Sequence, residues 1–293
     1  MLNKHDQISE RFFDIFNYVF LAIFALITLL PFIYIVAGSF ATEAELAERD
    51  FFLIPRDISI TAYQYIFSTG TIFRSMGVSI FITVVGTLTN LFFTLTMAYA
   101  LSRKELMGRN FVMNLVIFSM LFSGGMIPSY LVVKDLGLIN SYAAVILPAA
   151  ISAFNLIVIR NFFQNLPPGL EESARIDGCT DIGVLWKIVI PLSMPIIATF
   201  GLFYAVGHWN NFFSALLYLN DHTKWPLQVM LREIVMLSQL AIGDMSADPN
   251  FVKPPDQSVK MAVIIVGTLP ILLVYPFLQK HFAKGALLGS IKG

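Results

Sequence analysis

Apolar residues in this chain gather into long unbroken runs, and polar residues collect in the gaps between them. A helix needs about 20 mostly apolar residues to cross ~30 Å of hydrocarbon. Six runs qualify: Phe16 to Phe40, Ser75 to Leu101, Phe111 to Val133, Ser141 to Ile159, Ile188 to Leu219 and Met261 to Gln279. None holds an Asp, Glu, Lys or Arg in its interior. The pattern predicts an all-α polytopic membrane protein with six transmembrane helices. The first run, about 25 residues long, exceeds the core of roughly 7 to 15 residues in a cleaved signal, so it is read as a retained span.

Six crossings put both ends on one side. With the N-terminus in the cytoplasm, the inner segments hold 11 Lys and Arg over about 65 positions and the outer segments 8 over about 87, the bias of the positive-inside rule. Residues 1–15 are then a cytoplasmic N-terminus and 16–293 a six-helix membrane domain. The longest inner loop is 166–187. Two sizeable segments face outward, 41–74 and 220–260. In the second, Leu227, Met230, Leu231, Ile234 and Leu237 recur at helical spacing. They predict a helix that rests on the bilayer edge or docks a partner. The polar, turn-forming stretch GDMSADPNFVKPPD follows it.

Composition agrees with a bilayer environment. Apolar residues make up 57% and charged residues 13% of 293, with mean hydropathy +0.74, against about 45–50% and 25% in soluble domains. A formal charge of zero leaves no basic surface for nucleic acid. A single cysteine, Cys179, excludes an internal disulfide and a cysteine metal cage, and no metal site is expected. His5, His208, His222 and His281 are scattered, with no HExxH and no GxSxG, so the chain does not read as an enzyme. The lack of intramembrane charge counts against an ion-coupled carrier. There is no GxxxxGK[ST] loop, so any energy from ATP comes through another subunit.

Polar residues inside the runs are few. The fifth run places Tyr204, His208, Trp209, Asn210 and Asn211 close together, and the fourth holds Asn155. Buried amides in lipid turn toward other helices or a water-filled path. Interhelical bonding alone and contact with a neutral or weakly charged sugar both fit them. The third run carries Gly124, Gly125 and Pro128, for which close helix packing is the expectation.

The inner segment LPPGLEESARIDGCTDIGVLWKIVIPLSMP, from Leu166 to Pro195, reads as a short helix over Glu171 to Cys179. Pro167, Pro168 and Gly169 suit its start, and Glu171 and Glu172 in its first turn suit the helix dipole. Ala174 and Gly178, four apart, give it a small face open to close approach by another protein. A fifth helix running to Leu219 is about 48 Å long, so Pro191 and Pro195 fall near its inner end and bend it.

Glu172, Ser173 and Ala174, three residues, Gly178, nine residues, then Ile188, Ile190 and Pro191 resemble the EAA loop of binding-protein-dependent ABC importer permeases. Ser173 stands where the family has its first alanine and Ile190 where it has leucine. FLIPRDISITAYQYIF, GHWNNFF and the tail YPFLQKHFAKGALLGSIKG resemble the carbohydrate-uptake branch, and FSGGMIPSYLVVKDLGLINSYAAVILP a subgroup for complex oligosaccharides. Alginate, pectin and xylan fragments all stay open as cargo.

The resemblance implies the ABC type I importer permease fold in a bacterial cytoplasmic (inner) membrane, with both termini cytoplasmic. It implies a heterodimer with a second permease subunit, two ATPase subunits that hold ATP and Mg, an extracytoplasmic substrate-binding protein that meets 220–260, and an oligosaccharide substrate. Glu171, Glu172, Ser173, Ala174, Asp177 and Gly178 would then couple to the ATPase. Tyr204, His208, Trp209, Asn210, Asn211 and Asn155 would line the path. A membrane scaffold and a proton-coupled sugar carrier remain rival classes.

Overall fold

A computed structural model describes residues 4–68, 70–240 and 257–290, and these are almost wholly helical. Two compact units form, 1–69 with 233–268, and 70–232 with 269–293. The first holds α1 (Lys4–Ser39), α2 (Glu43–Glu48) and α3 (Thr61–Ser68). The second holds α4 (Gly70–Ser102), α5 (Arg109–Leu121), α6 (Met126–Asp135), α7 (Tyr142–Ile146), α8 (Ala153–Gln164), α9 (Pro168–Ile176), α10 (Asp181–Val184), α11 (Ile190–Leu192), α12 (Met194–Asn210) and α13 (Phe213–Tyr218). The units divide α14 (Leu227–Leu240) and α15 (Gln257–Ser290) between them.

In the first unit, the Thr42 hydroxyl caps α2 by accepting from the Glu45 amide. The Glu45 carboxylate, buried in this loop, accepts the Arg56 amide on both oxygens and the Arg49 guanidinium at 2.7 Å. Burial alone raises its pKa. The Arg56 amide and the Arg49 charge outweigh that and hold it below the ordinary 4.5.

The second unit is organised around α4. Ser75, Ser79, Ile82, Gly86, Asn90, Thr94 and Ala98 are buried at intervals of three or four, so one stripe of small and polar residues faces inward while Leu88 and Phe92 stay outside. Helices α8 and α12 pack along it. The core joins Leu95, Ala98 and Leu101 of α4 to Leu156, Ile159 and Phe163 of α8, Ala174 of α9, Val184 of α10, and Ile197 and Phe200 of α12. The start of α14 also belongs here: Leu227 is buried and its amide donates to Ser79 Oγ at 2.8 Å. The helix expected from the 227–237 stripe therefore forms. The turn-rich part of the outer loop, 241–256, lies outside the described residues.

The expected runs and the observed helices differ where prolines and glycines fall. Phe13–Ser39, Gly70–Ser102 and Gln257–Val274 are each long and apolar enough to cross a membrane. The fourth run is a pair, Tyr142–Ala149 and Ala153–Gln164, bent by 51°. The fifth is not the single long helix expected from Ile188 to Leu219. Asp181–Leu192 and Met194–Asn210 meet at 86°, and the chain breaks again after Asn210 before α13. Proline chemistry accounts for the bend. Pro191 cannot donate to the Lys187 carbonyl, a π turn forms over Leu185–Val189, and Pro195 opens α12. The third run is also interrupted. Helix α5 stops at Leu121 and α6 starts at Met126.

Candidate functional site

The segment expected as a helix over Glu171 to Cys179 forms as α9, Pro168–Ile176, with proline at its opening position. Its end is a Schellman turn. Gly178 takes φ +82°, its amide donates to the Arg175 carbonyl, and the Cys179 amide donates to the Ala174 carbonyl at 2.9 Å. Thr180 then caps α10 by accepting from the Gly183 amide, and Arg175 reaches Asp181 at 2.9 Å. Two short helices thus leave the turn as one stiff corner. No atom lies within 4 Å of where a Gly178 Cβ would be, so glycine is needed there for its left-handed backbone and not for space.

This corner is tied to the end of α4. Arg103 makes a two-pronged ion pair with Glu171, with Nη2 to Oε1 at 2.6 Å, while its guanidinium lies 4.3 Å from the Tyr99 ring. Burial lowers the Arg103 pKa, though it stays cationic. Arg160 and Gln164 of α8 donate to the last α4 carbonyls, Leu101 and Ser102, groups that a helix end leaves open. Beside the ion pair is a cavity of about 530 Å³ lined by Ser102, Lys104, Arg109, Glu172 and Arg175 among others.

The expected coupling residues therefore divide in two. Glu171 and Ala174 are buried and turn inward, Ala174 into the chain's own core. The small face anticipated for a partner is, at Ala174, spent on internal packing. Glu172, Ser173, Asp177 and Gly178 are exposed, and the Ser173 hydroxyl donates to the Gly169 carbonyl.

The residues expected along a path also divide. Tyr204 and His208 are buried against α4. The Tyr204 hydroxyl shares a 2.8 Å hydrogen bond with Thr94 and accepts from the Ser152 amide at 3.3 Å. His208 Nε2 meets Asn90 Oδ1 at 2.6 Å, and Asn90 Nδ2 donates to the Ala149 carbonyl. These bonds satisfy backbone groups freed by the break between α7 and α8. A Cβ on Gly86 would lie 2.5 Å from His208 Nε2, so only glycine lets the ring sit there. Trp209 and Asn155 are buried as well. Asn211 is half-buried and accepts from the Ser214 amide at the start of α13, while Asn210 is exposed. Among the described residues no cluster of His, Cys, Asp and Glu could hold a metal.

Sequence reasoning missed Arg103, Asn90 and Thr94. The signal for the last two was present: Gly86, Asn90 and Thr94 repeat every four residues and so share one face of the second apolar run.

The profile of the family described as binding-protein-dependent transport system inner membrane component matches residues 90–287. Protein LplC of Bacillus subtilis (strain 168) is 63% identical over 289 residues, 99% of this chain and 98% of that one. The polygalacturonan/rhamnogalacturonan transport system permease protein YtcP of the same organism is 59% identical over 285 residues, 97% and 100% of the two chains. A chain in the crystal structure of a bacterial ABC transporter involved in the import of the acidic polysaccharide alginate superposes with a TM-score of 0.85 at 36% identity, covering 96% of this chain and 99% of that one. The stiff α9–α10 corner, the polar seam between apolar helices and these matches place the chain in one family: it belongs to the inner membrane components of binding-protein-dependent transport systems, as a permease subunit and not an enzyme.

Proposed function

We propose that this permease works in an ABC importer for uronate-containing oligosaccharides and takes its drive from ATPase subunits that grip the α9–α10 corner from the cytoplasm. The observation that carries the reading is the division of that corner. Glu171 and Ala174 lock it to α4 and the core, while Glu172 and Asp177 stay exposed on the other side. A corner fastened to its own chain on one side and free on the other transmits a push as a rigid body.

In this reading the chain crosses the membrane six times with both termini inside, and 220–260 faces a substrate-binding protein. It pairs with a second permease. Two ATPase subunits hold ATP and Mg; this chain's residues dock them and bind neither. Glu172 meets a basic residue in the ATPase groove. The acidic character of the cargo rests on two relatives. YtcP is named for polygalacturonan and rhamnogalacturonan, the transporter with the similar fold for alginate, and galacturonan and alginate are both polymers of sugar carboxylates.

The test is uptake by the full assembly in proteoliposomes, using oligogalacturonates of two to four sugars. The expected result is uptake that requires ATP on the ATPase side and the binding protein on the other, and that survives an uncoupler. Uptake that collapses with the uncoupler at constant ATP would mark a proton-coupled carrier. ATP hydrolysis without uptake of any uronide would remove the substrate assignment.

A further inference from the structure

The cavity beside the Arg103–Glu171 pair lies where the Gly70–Ser102 span ends, and its wall joins the end of α4, the start of α5, the end of α8 and α9. Its volume of about 530 Å³ falls within the ~300–1,000 Å³ of small-molecule sites.

The charges on that wall are only partly paired. Arg103 holds Glu171, and Arg175 holds Asp181. Among the described residues, the other charged groups of the wall, Lys104, Arg109, Glu105 and Glu172, have no oppositely charged partner within 4 Å. Lys104, Glu105 and Glu172 are exposed, so water solvates them. Arg109 is half-buried, and its Nε is closed off from solvent without a hydrogen-bond partner. It also repels the guanidinium of Arg160 on α8, which bonds to uncharged acceptors, the Leu101 carbonyl and Asn161 Oδ1.

Two neighbouring guanidinium groups with no carboxylate to answer them are costly in a half-buried place. An oxyanion relieves that cost, because a guanidinium fork meets two of its oxygens at once. Glu105 and Glu172 set a second requirement. They repel a bare anion, whereas a hydroxyl donates to a carboxylate. The wall therefore suits a molecule with one anionic group and several hydroxyls.

We infer that this cavity binds a small hydroxylated oxyanion, a sugar acid or a sugar phosphate, with Arg109 and Lys104 on the anionic group and Glu105 and Glu172 on the hydroxyls. Bound there, the ligand ties the end of α4 and the start of α5 to α9, so its concentration sets how freely the α9–α10 corner moves. The inference takes from the importer reading only the side from which the ligand arrives, the cytoplasm.

The experiment reads amide hydrogen exchange across 102–110 and 168–176 in the whole assembly held in nanodiscs, with both faces open to solvent. Galacturonate, galactose 6-phosphate, galactose and inorganic phosphate are added separately at millimolar concentration. A ligand at about ten times its Kd slows opening-dependent exchange about tenfold. That slowing is expected with galacturonate, galactose 6-phosphate or both, which tells a sugar acid from a sugar phosphate. It should fall to within about twofold of the ligand-free rate in Arg109→Gln, which removes the guanidinium fork. Lys104→Gln, at an exposed position, should weaken binding about threefold. Slowing by neither sugar anion, equal slowing by galactose or by inorganic phosphate, or full slowing in Arg109→Gln overturns the inference. Should Arg109→Gln not assemble, unchanged affinity in Lys104→Gln overturns it instead. Exchange is read without transport, so failed uptake of uronides refutes the importer reading alone, and absent protection refutes this site alone.

Discussion

Removing the Arg103 guanidinium, as in Arg103→Met, leaves the Glu171 carboxylate without its partner at the root of the α9–α10 corner. Breaking a fully buried pair from one side costs about 3–5 kcal/mol. Here the Arg103 side chain is 21% exposed and that of Glu171 11%. Solvent therefore recovers part of the loss, and about 2 kcal/mol is expected, a factor of about 30 in a local opening equilibrium. The readout is amide hydrogen exchange of α9 and α10 in the assembled transporter, because unfolding of a multi-subunit membrane complex is not two-state. Both Arg103→Met and Glu171→Gln should speed exchange across 168–184 by about that factor, and the double variant should add little, since both changes break one bond. ATP hydrolysis should persist while uptake per ATP falls. Exchange in either single variant within about threefold of the parent, below even 1 kcal/mol, would refute the idea that this ion pair seats the corner.

Gly178→Ala forces an L side chain into φ +82° and should cost about 1–2 kcal/mol, seen as faster exchange at Cys179 and Thr180. Gly178→Asn, which tolerates that backbone better, should lose less, and equal losses would point to a contact instead of a conformation. Gly86→Ala drives a Cβ against His208 and should cost about 1–3 kcal/mol through the lost Asn90 bond. Adding His208→Ala should recover part of the assembly yield, and a purely additive result would contradict the close approach. Glu45 has a folded pKa held below 4.5, so its contribution is complete above that value and is lost as pH falls through the lower folded pKa. Exchange across 42–57, corrected for intrinsic rate, should stay flat from pH 7 to about 4.5 and rise below; Glu45→Gln should flatten the profile, and a rise already between pH 7 and 5 would contradict the sign.

The membrane class, the all-helical fold and the α9 helix could be read from the chain because each rests on local chemistry: run length, proline placement, and an EAA-like spacing around a glycine that must be left-handed. What could not be read was which side of a helix meets what. Glu171 and Glu172 are neighbours of the same type, yet one is bound to Arg103, 68 residues away in the chain, and the other is exposed. Hydropathy marked His208 and Tyr204 as polar exceptions, but their partners Asn90 and Thr94 lie more than a hundred positions earlier. Run length also overstated continuity. Apolar residues carry the count across Ser193 and across Gly124–Gly125, while proline geometry bends the chain at the first and glycine conformation opens it at the second.

The most direct measurement places a photo-crosslinking group at Glu172 in the intact, membrane-embedded assembly and identifies what it captures. An adduct with the ATPase subunit, formed from the cytoplasmic side and altered in yield by ATP, is the predicted result. Capture of the extracytoplasmic binding protein, or of no protein at all in any nucleotide state, would contradict the claim that this corner is where the engine takes hold.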